Sequence, residues 1–217
     1  MSLAIFDLDN TLLAGDSDYA WGQFLVAHNL VDRRYYEREN ERFCRSYQDG
    51  ALDIHQYLAF ALSPLAQQDL STLEQWRRDF MHSKILPMIK PRAQNLVDKH
   101  RQAGDTLVII TSTMDFIAQP IAQEFGIEHL IASQAEILNG RFTGNVVGTP
   151  CYRHGKVERL QTWVDEHGES MTGSWFYSDS HTDLPLLNAV DNPVAVNPDD
   201  TLRAEAQVRG WPIIDHH

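Results

Sequence analysis

Asp7 and Asp9 stand two positions apart in the string Phe6-Asp7-Leu8-Asp9-Asn10-Thr11, directly after a short apolar run. Residues i and i+2 of a strand share a face, and where a strand gives way to a loop two such carboxylates can converge on one cation. In parallel α/β sheets ligands collect at that carboxyl edge. Two like charges this close are costly without a counter-ion, so the pair calls for a bound metal or a displaced pKa. The plainer reading is an Asx-rich turn that caps the next helix.

Other residues suit the same chemistry. A second apolar run ends in Thr111-Ser112-Thr113, hydroxyls that could hold a phosphate oxygen at the start of a helix beginning near Asp115; a simple N-cap is the bland alternative. Lys156 follows a glycine and opens a helical pattern, where a cation opposes the helix dipole. It fits there if it reaches a phosphate, and otherwise it is a solvated surface residue. A later apolar run leads into Asp179, with Asp183 four residues on. Asp7, Asp9 and Asp179 together would make an oxygen-rich site that prefers Mg²⁺. Asp183 is better placed to orient Lys156 or a metal-bound water, unless it merely caps a helix.

These residues need a scaffold. Apolar runs at 2–6, 106–110, 129–132, 174–177, 193–196 and 212–214 have the length of strands buried on both faces. Helical patterns at 91–103, 115–125, 155–166, 182–189 and 199–209 alternate with them, several closed by glycine. The alternation predicts an α/β fold, a parallel sheet with helices on both faces. Residues 16–83 break the rhythm, being helical, strand-free and rich in aromatics, and read as an all-helical insertion. Residues 1–15 and 84–217 then form the core and 16–83 the cap, with hinges near 14–16 and 83–87. An Asn-Gly turn inside 135–147 predicts a β-hairpin.

The formal net charge of -12, without a run of Lys or Arg, disfavours nucleic acid and anionic membranes as partners. No segment reaches the roughly 18 unbroken apolar residues of a membrane span. The N-terminus has neither the basic region nor the cleavage site of a signal peptide. Cys44 and Cys151 form no metal or disulfide framework, which suits a reducing cytoplasm. His28, His55 and His82 have no metal spacing and read as surface or helix-end residues.

The ordered set D-x-D-x-T, hydroxyls after a second strand, Gly-Lys and D-x-x-x-D resembles the four motifs of haloacid dehalogenase (HAD) superfamily phosphatases, over nearly the whole chain. The resemblance implies a Rossmann-like core and a small phosphomonoester substrate. Asp7 would be the nucleophile and Asp9 the general acid and then base, with Thr111 and Lys156 on the phosphoryl oxygens. Mg²⁺ would be held by Asp7, the backbone carbonyl of Asp9 and Asp179, supported by Asp183. The helical insertion resembles that of the phosphoserine-phosphatase-like branch. The strings FDLDNTLLAGDSDYAW, GTPCYRHGKVERL and YSDSHTDLPLL are similar to branch members that include bacterial histidinol-phosphate phosphatases.

The chain departs from phosphoserine phosphatase at Asn10, at Ser112 and Thr113, and at Thr182. Ser112 and Thr182 are candidate substrate contacts. The Glu that meets that enzyme's substrate ammonium aligns with Asp16, and the Asp16/Asp18 pair suits a substrate with an amine and no carboxylate, such as histidinol phosphate. Phosphoserine and broad-range phosphatase activity remain alternatives. A phospho-accepting receiver domain combines similar residues in another order and has no room for this insertion. A phosphosugar mutase would return the phosphoryl group to sugar, and a degenerate binding domain would have lost a motif residue.

Overall fold

The computed structural model describes residues 2–215. Among them a seven-stranded sheet runs in the order β4-β3-β2-β1-β5-β6-β7. Its strands are β1 (Leu3–Phe6), β2 (Thr106–Met114), β3 (His129–Leu138), β4 (Arg141–Val147), β5 (Trp175–Ser178), β6 (Asn192–Val196) and β7 (Ile213–Ile214). All neighbours pair in parallel except β3 and β4. The helices are α1 (Ser17–Ala27), α2 (Arg33–Gln48), α3 (Ile54–Ala66), α4 (Leu70–Phe80), α5 (Pro91–Ala103), α6 (Asp115–Glu124), α7 (His154–His167), α8 (Leu184–Leu187) and α9 (Asp200–Arg209).

Alternation along β1 shows why the sheet is covered on both faces. Leu3 and Ile5 join the apolar layer of α7, α8 and α9, with Leu160, Leu187 and Leu202. Ala4 and Phe6 join the opposite layer with α5, α6 and the inserted helices. A strand buried this way has no polar face, which is why it reads as a continuous apolar run.

Between β1 and α5 the described chain is helical. Each of α1 to α4 starts at an Asp whose side chain accepts a backbone N–H in the first turn: Asp16 from Tyr19, Asp32 from Tyr35, Asp53 from Gln56 and Asp69 from Thr72. Such caps satisfy amides that a helix start leaves unpaired. The segment returns through a π turn (Met81–Ile85) and a 3-10 turn (Leu86–Met88). Its two crossings lie together, with the Ala14 amide donating to the Met88 carbonyl and Leu13 bridging to Ile89. Trp21, Phe24, Phe80 and Phe116 pack edge-on or stacked between the insertion and α6.

Several element limits differ from expectation. β2 runs to Met114 rather than stopping at 110, because a register shift between Thr111 and Met114 lets Thr-Ser-Thr remain in the strand. The run at 129–132 and the hairpin share one strand, β3, whose first half pairs with β2 and whose second half pairs with β4. Its turn has positive φ at Asn139 and Gly140, as a two-residue hairpin requires. The helix expected at 182–189 is a 3-10 turn (His181–Asp183) followed by the short α8. Pro185, which lacks an N–H, stands instead in the first turn of α8, where no N–H is required. β7 lacks Pro212, which still accepts a bond from the Ala195 amide. No helix among the described residues is long and apolar enough to cross a membrane.

Candidate active site

Strand order brings the motifs together. β1 lies between β2 and β5, so Asp7 at the end of β1, residues 111–113 at the end of β2 and Asp179 just past β5 all meet at one carboxyl edge. The Asp7 amide donates to the Tyr177 carbonyl at 2.9 Å, which fixes where its side chain begins.

Lys156 enters from α7. A Cβ on Gly155 would stand 2.1 Å from the Pro150 carbonyl oxygen, so only glycine lets the first turn of α7 pack this closely. Lys156 is 3 % exposed, and its Nζ donates to Asp7 Oδ1 and to Asp183 Oδ2, both at 2.7 Å. These carboxylates offset the cost of a cation at a helix start and hold its proton firmly, far above the usual lysine range. Asp183 Oδ2 also accepts from Ser178 Oγ, so Asp183 braces Lys156 rather than capping α8.

Asp9 is gripped from both sides. Its Oδ1 accepts the Ser17 amide at 2.6 Å, and its Oδ2 accepts the Thr113 hydroxyl at 2.7 Å. Asp179 accepts from Thr11 Oγ1 at 3.3 Å. Burial pushes Asp7 up to about 7, Lys156 opposing and Asp183 adding to the rise. Burial, helped by Asp16, pushes Asp9 up to about 6. Asp179 is raised well above the usual carboxylate range by burial and by Asp7. Acid is therefore in excess of the cation that Lys156 supplies.

That excess, and the buried Oδ1 of Asp183, which has no hydrogen-bond partner, fit a divalent cation bound through oxygen. Among the described residues no group of three His, Cys, Asp or Glu side chains encloses a metal. The donor set implied by the motifs, two carboxylates with a backbone carbonyl and waters, is one that Mg²⁺ accepts.

Above Asp7 and Asp9 lies a cavity of about 50 Å³, walled by Asp16, Asp18, Tyr19, Phe43, Tyr47 and Tyr57 from the insertion and by Ser112 and Thr113 from β2. No Arg or Lys is among the residues lining it. Asp16 spends Oδ1 on the Tyr19 amide as the cap of α1. Asp18 Oδ2 accepts the Tyr57 hydroxyl at 2.7 Å. Thr111 and Thr182 are not among its lining residues: Thr111 Oγ1 accepts from the Thr113 amide, and Thr182 Oγ1 lies against Ser180 and Tyr47. Tyr47 and Tyr57 enter the site without a sequence signal that sets them apart from the other aromatics of the insertion. Thr113, one of the three hydroxyls after the second apolar run, bonds to Asp9.

Burial pushes the Asp18 carboxyl up to about 8 from its ordinary value of 3.8. The folded state then holds a proton that the unfolded chain has lost, so stability falls as pH rises from about 4 to 8. Asp18→Asn removes this liability while keeping an oxygen for Tyr57. A thermal melt at pH 8 is expected to show a rise of at least about 2–4 °C, the effect of ~1 kcal/mol in a domain this size, and an unchanged or lower midpoint would contradict it.

The model of the haloacid dehalogenase-like hydrolase family matches residues 4–188. A histidinol-phosphatase from Neisseria meningitidis serogroup C (strain 8013) is 47% identical over 99% of this chain and 98% of its own length. A solved protein of unknown function from Bordetella pertussis Tohama I superposes with a TM-score of 0.94 at 41% identity, covering 100% of this chain and 99% of that one. A phosphoserine phosphatase solved as an analogue of its phospho-aspartyl intermediate shares the fold, with a TM-score of 0.72 at 17% identity over 100% of this chain and 93% of that one. With its motifs gathered at one sheet edge and the family match spanning most of its length, the chain belongs to the haloacid dehalogenase-like hydrolases.

Proposed function

We propose that this phosphatase hydrolyses histidinol phosphate through a phosphoryl group carried transiently on Asp7. The observation that carries the substrate reading is the cavity wall, in which Asp16 and Asp18 stand among aromatic side chains with no Arg or Lys to pair a carboxylate. Such a wall favours a cationic leaving group, whose ammonium draws the protons off the buried Asp16 and Asp18 as it binds, and disfavours phosphoserine, whose carboxylate finds no cation to pair with. The 47% identical histidinol-phosphatase supports the same choice.

The lysine already bonded to Asp7 takes a phosphoryl oxygen and aligns it for attack. Asp7 bonds to phosphorus as the bond to the leaving oxygen breaks, and Asp9 gives that oxygen a proton. Asp9 then takes a proton from the water that displaces the phosphoryl group and restores Asp7. Asp7, Asp179 and the backbone carbonyl of Asp9 would hold Mg²⁺, which when bound would supply charge neutralisation for the phosphoryl group. Asp183 keeps Lys156 in place, and Thr111 lends the phosphate-binding strand end its shape.

The 50 Å³ left between the insertion and the core, part open to solvent, is small for this substrate. Residues 16–83 therefore act as a lid over the core formed by 1–15 and 84–217, pivoting at the paired crossings and excluding water when closed. The enzyme works in the cytoplasm, where its free Cys44 and buried Cys151 stay reduced.

The test is phosphate release with Mg²⁺ from histidinol phosphate, phosphoserine, a phosphosugar and a nucleoside monophosphate. A preference of about 10²-fold or more for histidinol phosphate in kcat/KM is expected, about 3 kcal/mol of discrimination. Comparable slow release from all four would point to a broad-range phosphatase. Chelation by EDTA is expected to stop release and Mg²⁺ to restore it; activity surviving thorough metal removal would refute the role given to Asp179.

A further inference from the structure

Helix α2 carries an amide where its inward stripe calls for an apolar side chain. Its buried residues are Tyr36, Asn40 and Phe43, spaced as one face of a helix turned to a core. Asn40 is 8 % exposed. A buried amide costs stability unless its polar atoms are paired, and this one is paired by half. Nδ2 donates to the Tyr19 carbonyl at 3.1 Å, while Oδ1 takes no hydrogen bond among the described residues. The first bond also fixes the amide's orientation, since only Nδ2 can pair with a carbonyl. Gly22 of α1 makes room for it, because a Cβ there would stand 2.6 Å from Asn40 Nδ2. Glycine weakens a helix interior. Both helices thus give up stability at one contact, and a local exception of that kind marks a functional position.

The contact borders the cavity above Asp7 and Asp9. Asn40, Phe43, Cys44 and Tyr47, at i, i+3, i+4 and i+7, line it from one face of α2. Tyr47 closes this stripe on the phosphoryl side, where its hydroxyl donates to Ser180 at 3.0 Å, next to Asp179 in the chain. Seven residues of helix, about 10 Å, put Asn40 at the other end, beside Tyr19, whose amide donates to Asp16. The far end of a leaving group there meets an amide oxygen, with the Phe43 ring one turn along. We propose that Asn40 is a specificity-determining residue whose Oδ1 accepts a hydrogen bond from a heteroaromatic N–H of the leaving group, the imidazole N–H of histidinol phosphate. The inference rests on the substrate reading above, and it divides the work: Asp16 and Asp18 take the amine and Asn40 takes the ring. Asn40 and Tyr19 also line a second cavity, of about 520 Å³, together with Gly22, Arg33 and Glu37. An asparagine kept only to join α1 to α2 and face water there would be indifferent to the leaving group.

Two esters that differ only in the ring separate these roles. Histidinol phosphate and phenylalaninol phosphate share the amine and the chain, but the phenyl ring has no N–H to give. With Mg²⁺ present, wild type is expected to favour the imidazole ester by about tenfold or more in kcat/KM, the worth of one hydrogen bond. Asn40→Leu and Asn40→Ala, the second in case leucine crowds Gly22, are each expected to lose about tenfold more kcat/KM on the imidazole ester than on the phenyl ester. The loss should fall in KM, because a bond remote from the reacting atoms is made in the ground state and the transition state alike. A packing defect would instead lower both esters together. Equal losses on the two esters, or an imidazole preference that survives in both variants, would overturn the proposal. The two readings fail differently: a wild type with no preference for the imidazole ester takes down the substrate reading and the role of Asn40 together, whereas a wild-type preference that both variants keep removes Asn40 alone.

Discussion

Asp7→Asn is expected to lower phosphate release by about 10⁴-fold or more, the scale on which removal of a nucleophile acts when the rest of a site remains. The amide keeps the shape of the carboxylate and can still accept from Lys156, which remains anchored to Asp183 at 2.7 Å. Burial of Asp7 also works against its charge, pushing it up to about 7, so a neutral isostere relieves an unfavourable term rather than adding one. The variant is therefore expected to fold and to melt no lower than wild type. Lost activity beside an intact melt separates chemistry from folding. Turnover near the wild-type rate would remove Asp7 from the mechanism.

Lys156→Met should cost both activity and stability. The cation bridges Asp7 and Asp183 from a position 3 % exposed, and methionine fills similar space without the charge. Removing one partner of a buried ion pair costs about 3–5 kcal/mol, because the carboxylates left behind are uncompensated. Losing a preorganised donor to the phosphoryl oxygens costs about 10²–10³-fold in kcat. The stability deficit should shrink as pH falls and Asp7, pushed up to about 7, takes up a proton, and Lys156→Met combined with Asp183→Asn should recover stability without activity. A single variant that melts like wild type across pH would show that the bridge contributes no net stability.

Much of this site is written in local sequence. β1 announces itself because both of its faces are buried, so Leu3, Ala4, Ile5 and Phe6 leave no polar gap before Asp7. The helices of the insertion announce themselves through an Asp before each, with the aromatic positions following. Lys156 was legible as a charge opposed to its helix dipole. What was not legible depends on structure remote in sequence. Thr-Ser-Thr at the end of β2 reads as the start of a loop, yet pairing with β3 keeps it in the strand and a register shift aims Thr113 at Asp9. Tyr47 and Tyr57 resemble the other aromatics of the insertion, which mostly pack into its core. Contacts remote in sequence place these two: the Tyr47 hydroxyl donates to Ser180 and the Tyr57 hydroxyl to Asp18. Thr182, a candidate substrate contact from the sequence, has its hydroxyl against Tyr47 of the insertion and Ser180.

The proposed mechanism passes through a phosphoryl group bound to Asp7. The direct measurement is rapid acid quenching of the Mg²⁺-loaded enzyme during turnover of histidinol phosphate, with mass spectrometry of the peptide containing Asp7. A phosphoryl mass increment on that peptide, formed within one turnover, lost at the rate of phosphate release and absent in Asp7→Asn, is the expected result. Steady phosphate release with no phosphorylated peptide at any time, or with the phosphoryl group on another residue, would contradict it.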